Sequence, residues 1–235
     1  MPERHRERIP AYAGLAAFQA RLTDASVHDD ERVGQGYDEL KRLGYFWVAV
    51  RVRAAFHRLP DGAAIEIETW ANPPGTAAIE RCYRLSDAQG VFAVGRARWA
   101  LVRLSDGGPV RLASVPWLVA PRSFEAENPF PDGYLSFPAP ATGPVSTIRV
   151  PASGIDRNGH LNNARYWDLV FAAAAACGLP HGDVAEIEIG YHKAVFAGDA
   201  VAVRLSDDGD RIGFSGRIDR DGSTVLAFSG FYRPR

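Results

Sequence analysis

The chain is short of cysteine. It has two thiols in 235 residues, Cys82 and Cys177, with no metal-type spacing. That argues against a disulfide framework and for reduced thiols. No Cys/His cluster stands in the sequence, so neither a metal nor a cofactor is expected. Long apolar runs are missing too. None approaches the roughly 20 residues of a membrane-spanning helix, so no membrane partner is expected. Charge of one sign is lacking: the formal net charge is -1. Without a basic stripe interleaved with aromatics, nucleic acid is not an expected partner. The first residues, "MPERHRERIP", have no apolar core of a secretory signal, so a cytoplasmic location is expected. What remains is ordinary globular composition, 46% hydrophobic and 23% charged, at a length that suits two compact domains.

The chain repeats itself. Residues 48–62, "VAVRVRAAFHRLPDG", and 185–199, "AEIEIGYHKAVFAGD", are equal in length. Both alternate with the period of a half-buried strand and end at a Gly/Asp turn. Further strand-like runs follow in each half, at 63–70 and 200–206, then "AAIERCYRLSD" and "RIGFSGRIDR". Turn signals come next, "DAQG" at 87–90 and "DRDG" at 219–222, each opening a last strand. Helical segments precede each set of strands. One is expected over 24–44, broken by Gly34 and Gly36, and a cleaner one over 162–178. Asn162 or Asn163 can cap the latter, and Gly178 and Pro180 stop it. It is apolar on nearly all sides and should be buried. Its alanines, 172–176, suit either close helix–sheet packing or room for a ligand chain. Between the halves, 121–144 is rich in Pro and Gly and reads as a connector. The expected organisation is α+β. A domain over 1–120 and another over 145–235 each wrap an antiparallel sheet around a buried helix, and the halves can pair edge to edge.

Chemistry-bearing residues concentrate in "GIDRNGHLNNARYW", 154–167. Asp156, Asn158 and His160 sit two apart, immediately before the apolar helix. Asp156 can attack a carbonyl or orient a water. His160 can carry a proton near neutrality. Asn158 can hold a water or a carbonyl oxygen. If the loop is extended, all three project to one side. The backbone N–H groups at the helix start can polarise a carbonyl oxygen. The alternative reading is turn and cap chemistry, which Asp and Asn commonly supply. Asn162 and Asn163 favour capping, and Tyr166 a core or pocket-wall role. In the first half, His28 with Asp29 and Asp30 reads as a solvated helix face.

The motif and the repeat together resemble the acyl-ACP thioesterases, whose pattern Asp-x-Asn-x-His-x-Asn-Asn-x-x-Tyr stands here as Asp156, Asn158, His160, Asn162, Asn163 and Tyr166. The stretches "GYDELKRLGYFWVAVRVR", "IEIETW" and "RARWALV" of the first half resemble the family as well. The resemblance implies a tandem hot-dog fold and hydrolysis of a fatty acyl thioester on acyl carrier protein, with acyl-CoA as the other carrier. It implies Asp156, Asn158 and His160 as catalytic, with Asn162, Asn163 and Tyr166 toward substrate, and His192 is a further substrate-side candidate of this chain's own. The chain departs from the plant members, which carry a Glu or Cys where "GYHKAVFAGD" has Ala194 and Val195. Asp156 then bears the base role alone, or with His192, which shares a face with Ala194 if the strand continues. A hot-dog dehydratase or isomerase, and a non-catalytic acyl-binding module, are the rival readings. One catalytic site per chain is expected, in a monomer or homodimer.

Overall fold

The structure is a computed structural model that describes residues 4–10, 14–62, 64–120 and 123–235. Ala63, the first residue of an expected strand, and residues 121 and 122 of the expected connector lie outside the described residues. Two compact units are distinguished: Met1–Ala11 with Arg21–Gly133, and Tyr12–Ala20 with Tyr134–Arg235.

The first unit holds β1 (His5–Pro10), most of α1 (Gly14–Arg32), α2 (Tyr37–Arg42), β2 (Tyr45–Phe56), β3 (Ala64–Ala71), β4 (Ala78–Asp87), β5 (Gly90–Arg103) and the short α3 (Pro116–Val119). Its strands lie in the order β1-β3-β4-β5-β2, all antiparallel. The second unit holds β6 (Val145–Arg149), α4 (Tyr166–Ala176), β7 (Val184–Tyr191), β8 (Ala200–Asp207), β9 (Ile212–Arg220) and β10 (Ser223–Pro234). Its order is β6-β8-β9-β10-β7, again antiparallel. The two orders are the same topology. The eight strands expected from the repeat are all present. β1 and β6 are additions: each is short, outermost in its set, and alternates between half-buried and exposed residues.

Local chemistry explains the boundaries. α1 begins ten residues before the expected helix, because "GLAAFQARL" is made of good helix formers. It ends at Gly34, with φ 71°, where Gly34 N–H donates to Glu31 O and Gln35 N–H to Asp30 O. α4 ends in the same way at Gly178, φ 70°, with Gly178 to Ala175 and Leu179 to Ala174. Both are Schellman closures, which need a residue in the left-handed region. The β9–β10 hairpin turns on Asp221 and Gly222, both at positive φ, the type I′ geometry that matches strand twist.

Each unit buries a helix in the curl of its sheet. In the first, Leu22, Ala25 and Ser26 of α1 are buried, and Ser26 Oγ meets the Tyr83 hydroxyl at 2.6 Å. Asp29 and Asp30 do not form a solvated face. They clamp the buried Arg81 guanidinium at 2.7 and 2.8 Å, because the helix turns them inward onto β4. In the second unit Trp167 packs edge-on to Phe214, Tyr166 to Phe228 and Phe171 to Tyr232. α4 is not buried all round as its apolar sequence suggests. Asp168, Ala172, Ala175 and Ala176 are exposed, and methyl side chains cost little when left wet. The connector is tied to strands at two points: Glu125 N–H donates to Ala71 O, and Leu135 N–H to the Glu188 carboxylate. No helix among the described residues is long and apolar enough to cross a membrane.

Candidate functional site

The segment carrying Asp156, Asn158 and His160 is a tight reversal. Ile155 and Leu161 form an antiparallel bridge, and Asp156 N–H donates to His160 O at 2.8 Å. Gly159 N–H closes onto Asp156 O at 3.0 Å, with φ 81° at Gly159. The Asp156 carboxylate supports the turn itself: Oδ1 accepts from Asn158 N–H at 2.7 Å and more weakly from His160 N–H at 3.4 Å. This is an Asx turn. The extended loop considered from the spacing does not form, so the alternation argument lapses. The three residues instead share one hairpin tip, with Asp156 and His160 half-buried and Asn158 exposed.

Val195 holds the turn from outside. Val195, fully buried, accepts from Leu161 N–H at 2.7 Å, and its own N–H donates to the Tyr166 phenol oxygen. Asn162 N–H reaches Gly154 O at 2.9 Å. The position where the resemblance leads one to look for an acid or thiol thus clasps the motif through its backbone. A β-bulge sets this up. The register of β10 shifts between Leu226 and Phe228, and the Ala227 carbonyl accepts from both His192 and Lys193. That bends the chain away at the end of β7. The strand therefore stops at Tyr191, and the shared face proposed for His192 and Ala194 does not exist. His192 is exposed, with Nε2 at 3.0 Å from Ser229 Oγ.

The Phe196 ring packs against the His160 ring, 5.3 Å away centroid to centroid, at 53°. Phe196 is steadied in turn. Its N–H donates to Asp199, and the Arg220 guanidinium, 2.8 Å from the same carboxylate oxygen, sits over its ring. Burial pushes the Tyr166 hydroxyl up to about 12, against the Val195 N–H and helped by the charges of Asp156 and Asp199. Tyr166 is a neutral phenol at physiological pH.

Asn162 is the cap. Its Oδ1 accepts from Ala164 N–H at 2.9 Å and its carbonyl from Arg165 N–H at 2.8 Å. A short 3-10 turn, Asn163–Arg165, follows before α4 begins. Those two N–H groups are therefore engaged within the chain and are not idle donors for a carbonyl oxygen.

Gln19 and Tyr191 were not singled out by the sequence reading. Trp167 Nε1–H donates to Gln19 Oε1 at 2.6 Å, Gln19 Nε2–H to the Tyr191 hydroxyl at 2.5 Å, and that hydroxyl to Asn163 O at 3.2 Å. The chain of bonds fixes the entry of α4. Its one signal was a lone glutamine inside "GLAAFQARL", now 2% exposed. Gln19→Leu strands the indole N–H and breaks the link to Tyr191. The expected loss is about 1–3 kcal/mol, read by urea denaturation, and an unchanged midpoint would show that the link does not support the helix entry.

Residues 140–226 match the family model of the acyl-ACP thioesterase C-terminal domain. No curated protein matches the chain in sequence. Among solved structures, an acyl-ACP thioesterase from Bacteroides thetaiotaomicron is 17% identical, with 97% of each chain covered and a TM-score of 0.80. The 12:0-ACP thioesterase from Umbellularia californica is 17% identical, covering 98% of this chain and 97% of its own, with a TM-score of 0.78. These likenesses bear out the tandem hot-dog fold over nearly the whole chain, and the matched segment contains the entire motif turn.

Proposed function

We infer that the chain, whose residues 140–226 match the acyl-ACP thioesterase C-terminal domain, hydrolyses fatty acyl thioesters to a free fatty acid and a carrier thiol. The observation that carries this reading is that the full Asp-x-Asn-x-His-x-Asn-Asn-x-x-Tyr string lies inside the matched segment, with Asp156, Asn158 and His160 together on one hairpin tip. In the chemistry proposed, Asp156 takes a proton from water as the oxygen attacks the thioester carbon. Its Oδ1 is committed to the turn, and Oδ2 remains to receive the water proton. His160 carries a proton to the departing thiolate, so one water is consumed and one acid and one thiol appear. Asn158 orients the water or the carbonyl oxygen. Tyr166 and Asn162 act by holding the turn, Asn163 by anchoring the helix entry to Tyr191, and His192 is proposed to meet the substrate from the surface.

The carrier proposed is acyl carrier protein. Both solved relatives named above are acyl-ACP thioesterases by description, which favours that carrier over coenzyme A. The setting proposed is the cytoplasm, at the release step of fatty acid synthesis. Thiol release from matched acyl-ACP and acyl-CoA panels tests this. We expect turnover with acyl-ACP exceeding that with acyl-CoA of the same chain. Enoyl thioester formed from 3-hydroxyacyl substrates without thiol release would make the protein a dehydratase. Acyl binding without product would make it a carrier module.

A further inference from the structure

Far from the motif in sequence, the first unit brings together two imidazoles and a carboxylate. β1 alternates, so His5 and Glu7 turn toward the protein while Arg6 and Arg8 face solvent. The helix α1 supplies the third group. His28 Nδ1 is 2.6 Å from Glu7 Oε2, and His5 Nε2 is 3.7 Å from the same oxygen. One donor atom from each residue lies within 4.8 Å of the others.

Two features set this apart from an ordinary surface ion pair. His5 Nε2 and Glu7 Oε1 are buried, and neither has a hydrogen-bond partner among the described residues. Buried polar atoms are normally paired, so two orphans in one cluster call for an explanation. The field is also arranged for a cation. Glu7 bonds to His28, and Asp24 and Glu31, four residues before and three after it on α1, add negative charge at the same ring.

We propose that His5, Glu7 and His28 bind a divalent transition-metal ion, with zinc the best fit, tying β1 to α1. Two imidazoles and a carboxylate are a donor set that zinc accepts, with bonds of about 2.0–2.2 Å. Tetrahedral angles put such donors about 3.4 Å apart. The His5–Glu7 separation is close to that value already. The His28 ring must swing away from Glu7, and its half-exposed side chain has room to do so. The metal takes the place of the proton shared between His28 and Glu7, and that proton is released. Water completes the shell, because only three protein donors converge among the described residues.

The test uses the whole protein, stripped with a chelator and titrated with zinc alone. Calorimetry should show one equivalent bound, and cobalt(II) in its place should give the visible absorption of a four-coordinate site. His28→Gln and His5→Gln should each weaken zinc binding by at least about 10-fold, since loss of even an outer-shell partner costs that much. Zinc should raise the melting temperature of wild type at concentrations where it leaves both variants unmoved. His28 is exposed enough that its replacement leaves the fold intact, and melting without metal verifies this. A wild type that takes up no stoichiometric zinc overturns the proposal. So does zinc binding in either variant as strong as in wild type, which would move the metal to other residues.

Discussion

Asp156→Asn is expected to cut thiol release by about 100-fold or more, the scale on which a positioned general base contributes, while the melting temperature stays near that of wild type. The choice of asparagine follows from the turn. Asp156 Oδ1 accepts from the N–H groups of Asn158 and His160, and an amide oxygen at the same place keeps both bonds. Only the charge and the basicity are lost. Asp156→Ala removes the acceptor as well, so it confounds chemistry with the shape of the hairpin. A fall in kcat shared by both variants, with Asn as stable as wild type, assigns the carboxylate to the reaction. Full activity in Asp156→Asn would make Asp156 a turn residue and shift the base role elsewhere. His160→Gln should also lose activity in the same thiol-release assay. Its contact with Phe196 is a packing contact that glutamine partly keeps.

Arg81→Met is expected to destabilise the first unit by about 3–5 kcal/mol, the usual cost of stranding a buried charge. For a chain of this size that lowers the melting temperature by on the order of 10 °C. Arg81 is buried, and its two terminal nitrogens are spent on Asp29 and Asp30. Burial alone would raise the Asp29 carboxyl. The charge and hydrogen bond of Arg81, joined by Arg32, outweigh it and hold the group below the usual carboxylate range. The sign for stability follows. A carboxyl depressed in the folded state contributes fully above its unfolded pKa, and the contribution fades as pH falls through the folded value. Wild type should therefore lose stability on acidification more steeply than Arg81→Met does. Adding Asp29→Asn to Arg81→Met should recover part of the loss, because one stranded charge is then gone. Chemical denaturation at neutral and acid pH reads all three, and an Arg81→Met protein as stable as wild type would refute the account.

Much of this was legible from residues alone. Period-2 alternation and matched turns located eight of the strands, because those strands are long and half-buried, and burial writes itself into sequence as alternation. β1 and β6 escaped, since short outer strands carry polar and charged residues on one side and offer too few apolar positions to mark the period. The start of α1 is less legible, because the charged residues after 24 mark a helix more plainly than the apolar turns before them. The end was readable, since a left-handed closure calls for glycine.

The motif residues were equally visible as a string, and their identity required no coordinates. Their conformation did. Whether Asp156, Asn158 and His160 lie along an extended loop or share a turn depends on a clasp from Val195, more than thirty residues later, and on a bulge at Ala227 beyond that. The same holds for Gln19 against Trp167 and for Arg81 against Asp29 and Asp30. His5, Glu7 and His28 are a still plainer instance: in sequence they are three polar residues in charged surroundings. By itself the sequence determined what is local or periodic: strand faces, glycine closures, a tandem order and a dense string of polar, chemistry-bearing residues. The tertiary structure alone decided which polar groups meet, because a hydrogen bond or a metal ligand set is a condition on distances across the fold, and no residue spacing encodes it.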